Sequence, residues 1–291
     1  CSTTKTSETA NKVNNDQTEN VSQEVIEMNL NSIFPSTHYI SVDAYDPWAK
    51  LVEEKTNGRI KVNLYYGSTL GSSKSVWQDI QGGIYDVGGP APVPYFYETE
   101  LFPFTIAGLP FAFPDVNSAA RVMTKFGEKY GLEANEKAIL MGMSPSDPYD
   151  LISSKPIKKI GDIKGLKIRV TGKSDSDLIK EWGASPVSIP YEEIYASLDK
   201  KTLDASIVSP TGAVGSKYNE VAPNLTKLGV AVQLLIPVMN RDFYNKLPAD
   251  LKKLFDEELN PKLAELMNES FTNQRENAYS ELEKLVEGRG E

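Results

Sequence analysis

One cysteine and one histidine stand in 291 residues, and that scarcity removes whole classes of chemistry. Structural zinc, Cys-x-x-Cys redox cycling and internal disulfides all need more thiols or imidazoles than this. A Ser-His-Asp triad could draw only on His38. There is no run of 18 apolar residues, so no segment reads as a membrane-spanning helix. Basic residues are outnumbered 31 to 40, for a net charge of −9, whereas a nucleic-acid binder carries a basic face. The glycine pairs at 82–83 and 88–89 do not form G-x-G-x-x-G, and there is no Walker pattern. No cofactor, metal or nucleic-acid partner is therefore expected.

What remains is ordinary globular material, 40% hydrophobic and 24% charged, long enough for about two domains. The lone cysteine is residue 1, with no Met before it. It reads as the lipidated first residue of a processed bacterial lipoprotein. Residues 2–24 contain no Gly, Pro or aromatic side chain and almost nothing apolar. Such a segment cannot offset its ordering entropy by burial, so a disordered tether is expected there. That arrangement would hold a folded body outside the cytoplasm, at the membrane surface.

From Val25 the pattern changes. Ile26, Met28 and Leu30 alternate with polar residues, as in a strand. Asp46-Pro47 predicts a helix N-cap and first helical position, with Trp48, Leu51 and Val52 as the apolar stripe. Strands are predicted at Ile60–Leu64, Ile84–Gly88, Ala138–Met143, Leu166–Val170 and Leu203–Val208. Helices are predicted at 74–82, 117–137, 175–182, 191–200 and from Pro248 onward, interrupted at Pro261. Strand and helix in alternation imply parallel βαβ units and an α/β fold of two lobes.

Ligands in open parallel sheets bind beyond the carboxyl ends of the strands. Applied here, the rule selects Phe34–His38, Gly67–Ser73, Gly89–Pro94, Ser144–Tyr149, Arg169–Thr171 and Ser209–Thr211. Nearly all are uncharged. Arg169 is a cation at the end of a strand of Leu, Ile and Val, where it could grip a carboxylate through two parallel hydrogen bonds. It could equally be a surface Arg paired with a neighbouring acid. His38 fits a hydrogen-bonding role better than a catalytic one. Trp77 and Trp182 fit helix core better than ligand stacking.

The segment Ile160-Gly-Asp-Ile-Lys-Gly-Leu-Lys-Ile-Arg169-Val resembles the central signature of TRAP-transporter solute-binding proteins of the DctP type. The run from Gly183 through Pro190-Tyr191 to Leu198 resembles the family's next segment, and Leu203-Asp204-Ala the strand after that. Val52–Val62, Leu70-Gly71, Leu109–Phe113, Met239–Asp242 and Leu247-Pro248 are also similar, so the likeness runs from residue 25 to the end. It implies a two-lobed, periplasmic-binding-protein-like α/β fold with a cleft between the lobes and long C-terminal helices. The expected division is 25–145 plus 238–275 for one lobe and 146–237 plus 276–291 for the other. Crossings are expected near 144–146 and 235–238.

The resemblance also implies function. Arg169 would bind the ligand carboxylate, with Tyr191 lining the same pocket and Tyr149, Ala91, Pro92 and Ser209 nearby. From their own positions, apart from the resemblance, Ser209 and the Thr37-His38 loop are expected to meet polar substituents, and Trp77 is a weaker candidate for the apolar side. The sialic-acid branch has a second Arg where Tyr149 aligns, a Glu near Ala91 and an Asn near Ser209. The pocket here should thus be less polar and suit a simpler monocarboxylate. The chain is expected to be a monomeric, non-enzymatic binding protein that passes a small organic acid to TRAP permease subunits. The alternative is a sensor that presents its closed form to a membrane receptor kinase.

Overall fold

The computed structural model describes residues 25–130 and 136–287. The expected tether and the lipidated Cys1 lie outside the described residues. The chain opens with β1 (Ile26–Ser32), α1 (Asp46–Lys55), β2 (Ile60–Tyr65), α2 (Val76–Gly82), β3 (Val87–Pro92), α3 (Val116–Tyr130), β4 (Ala138–Leu140) and β5 (Ser144–Pro145). A second set comprises β6 (Asp150–Ser153), β7 (Lys167–Arg169), α4 (Lys173–Glu181), β8 (Ser185–Val187), α5 (Ile194–Asp199), β9 (Ala205–Val208), α6 (Pro210–Gly215) and β10 (Asn224–Thr226). The chain then returns with β11 (Leu234–Asn240), α7 (Arg241–Lys246), α8 (Ala249–Leu254) and the long α9 (Asn260–Glu287).

Two sheets result. The first has the order β2-β1-β3-β11-β4, with β5 also on β11; the second has the order β10-β6-β9-β7-β8. The expected parallel units are present: β1 runs parallel to β2 and β3, and β7 to β8 and β9. They are not the whole. β11 runs antiparallel to β3 and β4, and β6 antiparallel to β9 and β10. Strand pairing passes from the first sheet to the second between Pro145 and Asp150 and returns between Thr226 and Leu234, so the return falls a few residues before 235–238.

Alternation in β1 does what its pattern requires: Met28 and Leu30 are fully buried, packed with Trp48, Val52, Val87 and Val238 in one core. Leu151, Ile168, Ile179 and Ile207 form the other. The end of α9 lies on the second sheet's side, with Ala278 and Leu282 against Val214 and the Tyr279 hydroxyl donating to Asp150 at 2.7 Å.

Three local expectations are corrected. Asp46 is not a cap: the helix already runs from Tyr39 through a π-helical turn at Ser41–Tyr45, and Asp46 instead accepts the Tyr66 hydroxyl. The third strand is Val87–Pro92 rather than Ile84–Gly88. Its glycines and prolines suggest a loop, but Gly88 is needed because a Cβ there would come within 2.7 Å of Val76 and 3.0 Å of Val238. Pro261 does not interrupt the C-terminal helix. A proline has no N–H for the turn before it, and the helix widens to π geometry at Phe255–Leu259 just ahead of it. The Leu259 carbonyl then accepts the Trp48 indole N–H at 2.7 Å.

Candidate functional site

The carboxyl ends of β1, β3, β7 and β9 converge on a cavity lined by Phe34, His38, Pro92, Tyr95, Ser146, Tyr149, Arg169, Thr171, Tyr191, Ser209, Leu235 and Phe271, among others. Its free volume is about 20 Å³, room for about one water molecule. Elements of the first sheet supply one wall and elements of the second the other. Between them runs a seam of hydrogen bonds: Ser73 N–H to Glu192 at 3.2 Å, Lys74 Nζ to the Ser188 carbonyl at 2.9 Å, and the Tyr95 hydroxyl to the Ile189 carbonyl at 2.8 Å. The Tyr191 N–H also donates across it, to Ser73 Oγ at 2.9 Å.

Arg169 ends β7 and is 1% exposed. Its Nη1 donates to Thr171 Oγ1 at 3.0 Å and to the Ile207 carbonyl at 3.4 Å. Its Nη2 donates to the Tyr95 hydroxyl at 2.5 Å, and the Tyr95 ring centroid is 5.9 Å from the guanidinium carbon. Every one of these partners is neutral. No carboxylate among the described residues forms an ion pair with Arg169, and its buried Nε has no partner. The reading of Arg169 as a surface residue paired to an acid is thus excluded. A guanidinium stays charged in proteins, and a buried cation without an anion is costly.

His38 is fully buried. Its ring stacks on Phe34 with centroids 4.1 Å apart, and burial pushes its pKa down to about 3. Tyr191 stands edge-on to Phe34 at 5.4 Å, its hydroxyl 2.8 Å from Ser216 Oγ; burial raises its pKa to about 12. Tyr149 is 5% exposed and lines the cavity with it. Behind this wall the buried Asp147 accepts the Thr211 N–H at 3.2 Å, and burial raises its pKa to about 6.

Of the residues singled out from sequence, the cavity gathers Arg169, Tyr191, Tyr149, Ser209, His38 and Pro92. Ser209 arrives with its hydroxyl engaged, capping α6 by accepting the Gly212 N–H at 3.1 Å. Thr37, Ala91 and Trp77 do not line the cavity. Thr37 faces solvent. Ala91 is enclosed in the first core. Trp77 is core of α2, its indole donating to Glu100 at 3.1 Å. Sequence reasoning missed Ile33, Tyr95, Gly212, Leu235 and Phe271. Tyr95 comes directly after the Gly89–Pro94 segment, so extending that loop by one position would have found it. Phe271 comes from α9 and carries no local signal.

A roomier groove of about 670 Å³ lies between β4 and α9, but its charged residues are Asp256, Glu265 and Glu269, a poor match for an anion. No three His, Cys, Asp or Glu side chains gather as metal ligands among the described residues, and no helix there is long and apolar enough to cross a membrane.

Residues 30–289 match the family described as DctP, bacterial extracellular solute-binding protein, family 7. The 2,3-diketo-L-gulonate-binding periplasmic protein YiaO of Escherichia coli K12 is 27% identical over 252 residues, which is 82% of this chain and 71% of that one. The C4-dicarboxylate-binding periplasmic protein DctP of Vibrio cholerae is 27% identical over 227 residues, covering 76% and 67%. A TRAP periplasmic solute-binding protein from Polaromonas sp. JS666, solved with D-erythronate bound, shares the fold at a TM-score of 0.81 and 21% identity, covering 89% of this chain and 86% of that one. The match over nearly the whole chain, on a two-lobed fold built around two sheets, places this protein in the DctP family of TRAP-type extracellular solute-binding proteins.

Proposed function

We propose that the protein captures a small organic acid in the cleft between its two lobes and hands it to a TRAP-type membrane permease. One observation carries the reading: Arg169 is a buried cation at the cavity wall, bonded only to neutral groups and with its Nε unpartnered. A carboxylate taking the Nε–H and one Nη2–H would supply the missing anion in a two-point contact. The relatives' ligands, 2,3-diketo-L-gulonate, C4-dicarboxylates and D-erythronate, all carry a carboxylate. The apolar lining of Ile33, Phe34, Leu235 and Phe271 favours a monocarboxylate over an acid with several charges.

The lobes in this reading are the two sheet-bearing halves, hinged where strand pairing changes sheet. A cavity of about 20 Å³ admits no organic acid, so entry requires the seam at Ser73, Lys74 and Tyr95 to open. Ligand bridging both walls then shifts the population back to the closed form. The test is a thermal-shift and calorimetric screen with 2,3-diketo-L-gulonate, D-erythronate, C4-dicarboxylates and neutral sugars. Binding to the native state alone raises its stability. An acid should bind with a Kd of about 1 μM or below. Stabilisation by a neutral sugar, with no acid effective, would overturn the reading.

A further inference from the structure

We infer that the exposed apolar strip from Tyr97 to Phe111, with the lysine-bordered groove beside it, is a docking surface for an apolar protein segment flanked by carboxylates, and that the permease presents this segment. The inference rests on the delivery reading above and adds where the partner seats and what chemistry it must offer.

Exposed apolar side chains are unevenly placed on this molecule. Of twelve large ones among the described residues, five lie between 97 and 111: Tyr97, Phe102, Ile106, Leu109 and Phe111. Single exposed apolar residues need no explanation, but a contiguous patch does. Four of the five line one groove of about 510 Å³. At roughly half exposure each, five such side chains present on the order of 500 Å² of apolar surface. That is the size of a functional patch, yet less than the roughly 800 Å² per partner of a stable complex. It fits an encounter that ends in release.

Phe111 is held outward. Its backbone sits at φ 60°, in the left-handed region that bulky side chains avoid, and its N–H donates to the Val230 carbonyl at 2.7 Å. Strain of this kind persists only where the surroundings impose it. Here it leaves an aromatic ring 70% exposed to water.

The groove belongs to both halves of the molecule. The 3-10 segment Phe102–Gly108 comes from the first, while Lys173, Ser174 and Asp177 of α4 form the opposite rim. Ser174 Oγ donates across it to the Gly108 carbonyl at 3.3 Å. The groove is thus continuous with the seam that shuts over Arg169, and its rims part when the seam opens. The adjoining groove of about 470 Å³ is lined by Lys74, Lys173 and Lys180, with Asp177 as its one acid, itself paired with Lys173 at 2.7 Å. This is an excess of positive charge in a chain of net charge −9. A second copy docked on the same patch would set these lysines against one another. An apolar segment with acidic flanks meets them with opposite charge.

The test uses the purified protein, the acid identified by the screen, and the permease subunits of the same host reconstituted in liposomes. Phe111→Gly removes the ring and suits the positive φ, so the fold is kept; Phe102→Ser removes a second exposed ring. Each should weaken cosedimentation of the acid-loaded protein with permease liposomes about tenfold and slow uptake, while calorimetric affinity for the acid stays within about twofold. Lys180→Glu should weaken the same association at low salt, the difference vanishing in about 1 M salt, where charges are screened within about 3 Å. Wild-type association and uptake in both Phe variants would overturn the inference and leave the delivery reading intact. So would equal cosedimentation with permease-free liposomes, which would make the partner a lipid surface, or a dimer that Phe111→Gly dissolves, which would make it a second copy. A wild-type protein that binds the acid yet gives no uptake through the permease would overturn the delivery reading, and this inference with it.

Discussion

Replacing Arg169 with Met separates a ligand clamp from a structural ion pair, because the two roles predict opposite effects on the free protein. In a structural pair, deleting one partner strands the other charge and costs about 3–5 kcal/mol of stability. Here no direct ion-pair partner is stranded: the buried Asp175, which feels the Arg169 charge, keeps the N–H groups of Thr171 and Gly172 and the Gln233 amide. The guanidinium's gains are hydrogen bonds to Thr171, Ile207 and Tyr95 and the face of the Tyr95 ring, against a desolvation cost of several kcal/mol for a buried cation. An apolar side chain of similar length is often neutral or stabilising at such a site, so urea unfolding of Arg169→Met should lie within about 1 kcal/mol of wild type. Ligand binding should behave otherwise. The carboxylate would enter the same dry cavity without its cation, at a loss of about 3–5 kcal/mol, or roughly 150- to 5,000-fold in affinity. Arg169→Lys should recover only part, since an ammonium cannot make the planar two-point contact. The reasoning fails if Arg169→Met is destabilised by more than about 3 kcal/mol. It also fails if that variant binds the acid within about threefold of wild type, near 0.7 kcal/mol.

Three further outcomes are expected. Tyr95→Phe removes the hydroxyl that accepts from Arg169 at 2.5 Å and donates to Ile189 at 2.8 Å; losing about 1–3 kcal/mol from the closed form alone, it should weaken acid binding about tenfold by calorimetry, and unchanged affinity would show that the seam does not bear on closure. Gly215→Ala places a Cβ within 2.6 Å of the His38 ring, which Phe34 blocks from retreating; overpacking of this kind costs about 1–3 kcal/mol, measurable as a lower denaturation midpoint, and a midpoint equal to wild type would mean the imidazole is free to move. On acidification, burial keeps folded His38 neutral down to about pH 3 while the unfolded chain protonates it near 6.5, so its contribution falls as pH drops below 6.5. Asp147, its pKa raised to about 6 by burial, acts in the opposite sense, gaining stability as pH falls through about 6 toward the unfolded value. The two offset each other in wild type. The stability of His38→Gln relative to wild type should therefore be more favourable by roughly 2–3 kcal/mol at about pH 4.5 than at about pH 7.5; a gap independent of pH would show that His38 is not held neutral.

Local pattern alone determined much of this molecule. Alternation at Ile26–Leu30 and Ile60–Leu64 placed β1 and β2, because a half-buried strand needs one apolar face. Glycine at 83, in the left-handed region at φ 69°, marked the end of α2. The strand-end rule found the loops that build the cavity, and Arg169 stood out because nothing else in those loops was so plainly a cation on an apolar strand. Tertiary structure decided the rest. Asp46-Pro47 looks like a helix start, yet the helix begins earlier because Ser41–Tyr45 is held from outside: Ser270 and Gln274 of α9 both donate to Asp43, at 3.0 and 2.9 Å. The Gly- and Pro-rich β3 became a central strand because β1 and β11 flank it, a circumstance no local propensity encodes. Whether Arg169 meets an acid on the surface or only neutral groups in a closed cleft depends on Tyr95 and Ile207, 74 and 38 residues away in the chain. His38 became a neutral imidazole only because Phe34 and Gly215 close over its two faces. Sequence shows which side chains can do chemistry, but desolvation and hydrogen-bond partnership are properties of the assembled cleft, where segments remote in the chain exclude water from one another.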